Sequence, residues 1–375
     1  MADKTLKSLN FGGADRYFPL PLVTAADNNK ILSVVNGEWA AVEAPSGGGS
    51  GQYVWSKQES ENGKILEYVV GDTESDYPDG GWIDGFWYTL KLSPTPPACL
   101  SFIGNEDFTL KTYNTTKNWD GTLEYSTNGS TWNTWDGTEI SSVGSNLYLR
   151  GIGNTKITGS LENYRFVFTG TSALKIACEG NIENLLDYET VSAGGHPTMA
   201  EGCYCYMFYG CTSLTTAPAL QATTLTDRCY GYMFYDCTSL TTAPALQATT
   251  LAVECYAYMF RGCTALTTAP ALPATTLGPF CYAGMFGICT ALTTVPALPA
   301  TTLKNFCYAY MFNGCTKIKM SSTQTGEYHT SYRIPKSGTG TTATNALESM
   351  FANTGGTFTG TPSINTTYYT SNTVV

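Results

Sequence analysis

Cysteines at 203, 229, 255, 281 and 307 stand 26 residues apart, and a second column at 211, 237, 263, 289 and 315 keeps the same step. Between them Met-Phe recurs at 207–208, 233–234, 259–260, 285–286 and 311–312. Leucine fills 214, 240, 266 and 292, with Ile318 in the fifth copy, and Pro218, Pro244, Pro270 and Pro296 form a further column. Self-similarity at a fixed period of 20–50 residues marks architectures in which each copy packs only on its neighbours. No other feature of the chain restricts its fold as strongly.

One copy reads as a helix followed by a short strand. Thr224 supplies a capping hydroxyl and Asp227 follows three residues on, where an acid favours the exposed amides of a first turn. Leu225, Cys229 and Met233 then fall at i, i+4 and i+8, a helical stripe widened by Phe234 and Cys237. Leu240-Thr241-Thr242-Ala243 reads as a strand stopped by Pro244. Such a unit cannot bury its apolar stripe alone, so the spacing predicts a solenoid.

A period of 26 lies within the range of leucine-rich repeats. Met-Phe-Tyr-Gly-Cys-Thr-Ser-Leu-Thr-Thr (207–216), with proline shortly after, resembles the BspA-like class of bacterial leucine-rich repeats, although those have a somewhat shorter unit. The resemblance covers five copies, about a third of the chain. It implies adhesion or protein interaction rather than catalysis.

The remainder divides by composition. Residues 1–45 read as a small module, with Ile31–Val35 and Glu38–Val42 flanking Asn36-Gly37, a hairpin signal. The stretch from Val23 to Val42 resembles short segments of bacteriophage fibre proteins, with Asn29 where glycine is usual before Lys30. That resemblance implies a virion-anchoring role, trimerisation, and contacts with other virion proteins through residues 1–45. Residues 46–52 form a Gly/Ser linker. Residues 53–95 form an aromatic-rich β module whose segment 76–88 also resembles phage tail proteins. Residues 96–190 carry short alternating strands that predict a sandwich-like all-β domain. The repeats occupy 191–320. The interval 321–375 holds an insertion, a degenerate repeat announced by Met350-Phe351, and a C-terminal cap. The expected fold class is therefore multidomain: small N-terminal β modules, a β-sandwich-like domain, and a C-terminal leucine-rich-repeat solenoid with helix plus short strand in each 26-residue unit.

Composition narrows the function. A net charge of −10 lacks the basic footprint that phosphate recognition requires, so nucleic acid is not an expected partner. No stretch approaches the ~18 apolar residues of a membrane helix. The N-terminal residues lack the apolar core of a secretory signal, so synthesis in the host cytoplasm and action outside, as part of a virion, is the expectation. The only histidines, His196 and His329, have no catalytic partner pattern, and Ser46–Gly51 is not followed by a helix as a phosphate loop would be. No enzyme, metal or cofactor is expected. Of the 13 cysteines, 11 lie between Cys203 and Cys315. Disulfides and zinc remain formal alternatives, but stacked buried thiols fit the columns better.

Variation between copies indicates where a ligand would bind. Positions 226–228 read Thr-Asp-Arg, and the later copies read Ala-Val-Glu, Gly-Pro-Phe and Lys-Asn-Phe. The pair after Met-Phe also changes from copy to copy. By helical phase these positions face solvent, beside an exposed aromatic row of Tyr206, Tyr232, Tyr258 and Tyr310 interrupted at Gly284. With Tyr235, Arg261 and Asn313 this row forms the candidate surface for a host cell-surface glycan or protein. Unconstrained positions would vary in the same way, and the threonine-rich strand face is the competing site.

Overall fold

The computed structural model describes residues 98–335 and 343–375, together with strands within 1–97. Two compact units result, Met1–Pro97 and Ala98–Val375. In the first, β1 (Ser8–Asn10) pairs antiparallel with β2 (Tyr17–Pro19), and β3 (Lys30–Val35) pairs with β4 (Glu38–Glu43), Val35 lying opposite Glu38. A separate antiparallel sheet has the order β5 (Leu66–Gly71), β7 (Phe86–Leu92), β6 (Gly81–Ile83). The linker 46–52, the aromatic side chains of 53–95 and the anchoring role of 1–45 lie outside the described residues.

The second unit begins with β8 (Leu100–Gly104), β9 (Thr109–Thr112), β10 (Thr122–Ser126), β11 (Asn133–Trp135), β12 (Ile140–Ser141), β13 (Asn146–Ile152), β14 (Phe166–Thr169) and β15 (Ile176–Glu179). Inward alternation along β13 buries Leu147, Leu149 and Gly151. One sheet has the order β11-β10-β13-β8-β15-β16, the last being Leu214–Thr216 of the first repeat, and β12-β9-β14 forms a second. Trp119 stacks on Trp135 at 5.2 Å, and Phe102 and Phe166 both meet Phe208 of the first repeat edge-on. The β region and the repeats therefore share one hydrophobic core. β15 continues as a parallel pair with β16 (Leu214–Thr216), so the sheet passes directly into the repeat stack.

The repeats are not helices. The one α-helix among the described residues is α1 (Asn184–Ser192), ahead of the first repeat, and helix makes up about 4% of the chain. The expected helix over 225–237, and with it the helix-plus-strand leucine-rich-repeat solenoid, is overturned by a run of overlapping turns. Backbone geometry gives the reason. Arg228, Tyr232 and Asp236 all have φ between 55° and 60°, and the same left-handed positions recur at Glu254, Tyr258 and Gly262, at Phe280, Gly284 and Ile288, and at Phe306, Tyr310 and Gly314. A left-handed residue at every fourth position interrupts any α-helix.

Hydrogen bonding follows the same alternation. Cys229, Gly231, Met233, Tyr235 and Cys237 donate their amides three residues back within the rung. Arg228, Tyr230, Tyr232, Phe234 and Asp236 donate instead to carbonyls of the next rung, at Val253, Cys255, Ala257, Met259 and Arg261. Every amide in this stretch is thereby paired, half of them across copies. A non-glycine residue in the left-handed region costs roughly 1–2 kcal/mol. Cross-rung bonds and burial offset that cost only when copies are stacked, so the turn ribbon is a property of the array.

Each ring of a given column meets its counterpart one rung away. Phe208, Phe234, Phe260, Phe286, Phe312 and Phe351 stack with centroids 5.5–5.9 Å apart. Tyr204, Tyr230, Tyr256, Tyr282 and Tyr308 form a second inner ladder. The second cysteine column is more than apolar filling. Cys237, Cys263, Cys289 and Cys315 donate from Sγ to the carbonyls of Phe208, Phe234, Phe260 and Phe286 at 2.9–3.1 Å. All 13 cysteines are free and buried.

On the opposite side Thr216, Thr242 and Thr268 bridge in parallel, one per rung. β17 (Thr294–Val295) then pairs with the C-terminal strand β21 (Thr373–Val374), so the row has a partner at both ends. After the fifth copy β18 (Met320–Ser321) and β19 (Thr330–Ile334) pair with β20 (Thr366–Thr370). A sixth rung closes the stack: Tyr308, Tyr310, Phe312 and Gly314 donate to Ala346, Glu348, Met350 and Ala352.

Candidate functional site

Left-handed residues turn the ribbon so that one face carries three outer columns. The first reads Gly202, Arg228, Glu254, Phe280, Phe306; the second Tyr206, Tyr232, Tyr258, Gly284, Tyr310; the third Gly210, Asp236, Gly262, Ile288, Gly314. Within the first column Arg228 pairs with Glu254 at 2.9 Å and Phe280 stacks on Phe306 at 4.6 Å. Neighbouring rungs thus compensate one another, charge with charge and ring with ring.

The tyrosine column differs from the exposed row expected of it. Its side chains are half-buried, and Tyr206, Tyr232 and Tyr258 stack face to face at 4.7 and 4.9 Å. Tyr209 stacks on Tyr235 beside them at 4.9 Å, and Arg261 continues that line by donating Nε to the Tyr235 hydroxyl at 3.3 Å. At the upper end Arg165 lies 3.9 Å from the Tyr113 ring centroid and 5.7 Å from that of Tyr209. Within a ladder each ring spends its faces on its neighbours and turns only edge and hydroxyl outward. An unbroken tyrosine row therefore cannot stack a ligand.

The break in the fourth rung changes this. Gly284 and Gly287 occupy both ladder positions there, and a Cβ on Gly284 would run into the Tyr258 ring, one on Gly287 into the Arg261 guanidinium. Tyr258 and Arg261 thus lean down over the two glycine positions, while Tyr310 and Asn313 rise from below. The result is a recess of about 290 Å³ lined by Tyr232, Tyr235, Tyr258, Arg261, Tyr310 and Asn313. Tyr206 is not among the lining residues and belongs to the upper ladder. Phe280 and Ile288, 36% and 41% exposed, flank the two glycines in the chain. Both belong to the varied positions expected to face solvent, Phe280 within 278–280 and Ile288 in the pair after Met285-Phe286.

The recess is mixed in character. Burial, then the neighbouring Tyr206, pushes the Tyr232 phenol above its ordinary range. Tyr310 donates to Glu348, and that hydrogen bond raises the Tyr310 phenol. Burial raises the Asp236 carboxyl, with Arg261 opposing the shift from a distance. Arg261 itself makes no direct ion pair among the described residues.

Other candidates are less open to a ligand. On the threonine face Thr293 Oγ1 donates to the carbonyl of Thr267 at 3.0 Å, which spends the hydroxyl inside the array. A second recess of about 400 Å³ lies where the β region meets the repeats, but its Lys175 already donates to Ser239 at 2.8 Å. His196 Nδ1 lies 2.9 Å from the fully buried carboxylate of Glu183, and the Cys203 thiol that feels this carboxylate is itself fully buried. No cluster of His, Cys, Asp or Glu suited to a metal ion occurs among the described residues, and no helix there is long and apolar enough to cross a membrane. Comparison with family models, curated proteins and solved structures finds no match for the chain.

Proposed function

We propose that the chain is a non-enzymatic adhesin, a bacteriophage fibre protein whose repeat face binds a glycan or protein on the bacterial surface. The observation that carries the reading is the one described rung whose two outer ladder positions lack side chains, in an otherwise regular frame. A constant scaffold with variable outer columns gives each rung its own chemistry at little cost to the core, as interaction surfaces on repeat proteins do. The lining matches a binding site in kind: tyrosine, arginine and asparagine around a concavity, with exposed apolar neighbours. The fibre part rests on the resemblance of residues 23–42 and 76–88 to phage fibre and tail segments.

Gly284→Tyr tests the adhesin reading. Tyrosine occupies the equivalent position in four copies at φ 55–62°, and Gly284 has φ 58°, so the backbone accepts it once Tyr258 swings back into its ladder. Labelled full-length chain is expected to adsorb to cells in a panel of bacterial species, and Gly284→Tyr to reduce that adsorption at least tenfold with an unchanged Tm. Equal adsorption by the two proteins would count against this face. The mass of the intact chain in solution checks the fibre part, for which a trimer is expected. A monomer would move the reading to a bacterial cell-surface adhesin of the same build.

A further inference from the structure

We propose that the fourth rung is a socket for the ring of an acidic sugar, whose carboxylate sits on Arg261; this rests on the adhesin reading above. Three observations converge. First, the tyrosine column is interrupted here: Tyr258 has no ring stacked below it and Tyr310 none stacked above, because Gly284 supplies none. A pyranose ring presents C–H groups to such aromatic surface, here the open faces of Tyr258 and Tyr310.

Second, the guanidinium of Arg261 is held but not neutralised. Its Nε is committed to the Tyr235 hydroxyl, which orients the fork, and no carboxylate of the described residues pairs with it directly. The nearby acids are otherwise engaged. Asp236 turns over Gly262 and acts on Arg261 only through space, Glu348 accepts a hydrogen bond from the Tyr310 hydroxyl, and Glu254 is paired with Arg228. A preorganised guanidinium whose terminal nitrogens have no hydrogen-bond partner among the described residues matches a carboxylate in a two-point contact that a neutral hydroxyl does not equal. Third, Asn313 closes the other side with an amide able both to donate and to accept, the pairing a ring hydroxyl requires.

The experiment titrates the full-length chain by calorimetry with oligogalacturonate and, separately, with a neutral galacto-oligosaccharide. The acidic oligomer is expected to bind at least tenfold more tightly than the neutral one, the difference expected of a charge-assisted hydrogen bond over a neutral one. Arg261→Gln is expected to erase that preference and Gly284→Tyr to abolish binding of both. Gly287→Asn, which places in rung four the residue found in rung five, is a second blocking variant should Gly284→Tyr fold poorly. Equal binding of acidic and neutral oligomers, or full acid preference in Arg261→Gln, overturns the acid socket while leaving a glycan adhesin. Absence of saccharide binding beside cell adsorption that Gly284→Tyr still blocks overturns the sugar and points to a protein receptor. Cell adsorption indifferent to Gly284→Tyr removes both the socket and the adhesin face.

Discussion

Raising the pH from 8 to between 10 and 11 is expected to unfold the repeat stack. Burial pushes the thiols of Cys205, Cys211, Cys255, Cys307 and Cys315 from an ordinary value of 9.0 up to about 12, and further thiols of both columns rise as well. The folded chain holds these protons after the unfolded chain has begun to release them. Their contribution is fully present below pH 9 and is lost as pH rises through about 12. Each thiol whose proton is retained costs about 1.4 kcal/mol per pH unit above the unfolded value. Five together reach roughly 7 kcal/mol by pH 10, against a usual domain stability of about 5–15 kcal/mol. Near-UV circular dichroism against pH checks this, with a thiol reagent reporting access: no cysteine reacts in the native protein at pH 8 and all 13 react beyond the transition. A native spectrum persisting at pH 11, or thiols that react in the native state, would remove the buried columns from the account.

Phe260→Ala is expected to destabilise the second unit by about 3–5 kcal/mol, the range for deleting a fully buried aromatic ring. Phe260 is inaccessible to solvent and stacks on Phe234 and Phe286 at 5.6 and 5.9 Å. A ladder one ring wide cannot collapse into the gap, since its rung spacing is held by backbone bonds from Phe260 to Met285 and from Phe234 to Met259. Urea unfolding is the measurement. A loss below about 1 kcal/mol would mean that the rings are not packed as a continuous column.

Much of this arrangement is legible in the columns of the sequence, and the part that is not has a definite cause. Cysteine, Met-Phe and leucine at fixed 26-residue steps identify side chains that share an interior. The path of the backbone between them is another matter. Leu225, Cys229 and Met233 are four apart, a spacing that satisfies a helical stripe equally with a ribbon turning over every four residues. Helix propensity favours neither, and bulky Tyr232 gives no hint of a positive φ. Only the pairing across copies selects the ribbon, and that is a tertiary effect. Arg261 and Asn313 were identifiable as varied positions and Tyr258 as one of the aromatic row, yet the concavity they line comes from what Gly284 and Gly287 lack. An aromatic row suggests stacking capacity, whereas neighbouring rings within the ladder consume it and the break at Gly284 restores it.

The turn ribbon itself is tested most directly by the stability of Asp236→Gly. Asp236 is exposed at φ 55°, and its counterparts Gly210, Gly262 and Gly314 have φ 71–78°. Glycine enters that conformation without the cost borne by an L side chain, so the variant is expected to be as stable as the native chain or more stable, by up to about 1 kcal/mol. An α-helix over 225–237 makes the opposite prediction, a loss of about 0.5–1 kcal/mol for glycine in place of a side chain. Destabilisation of that size on urea unfolding would contradict the ribbon and every outer column derived from it.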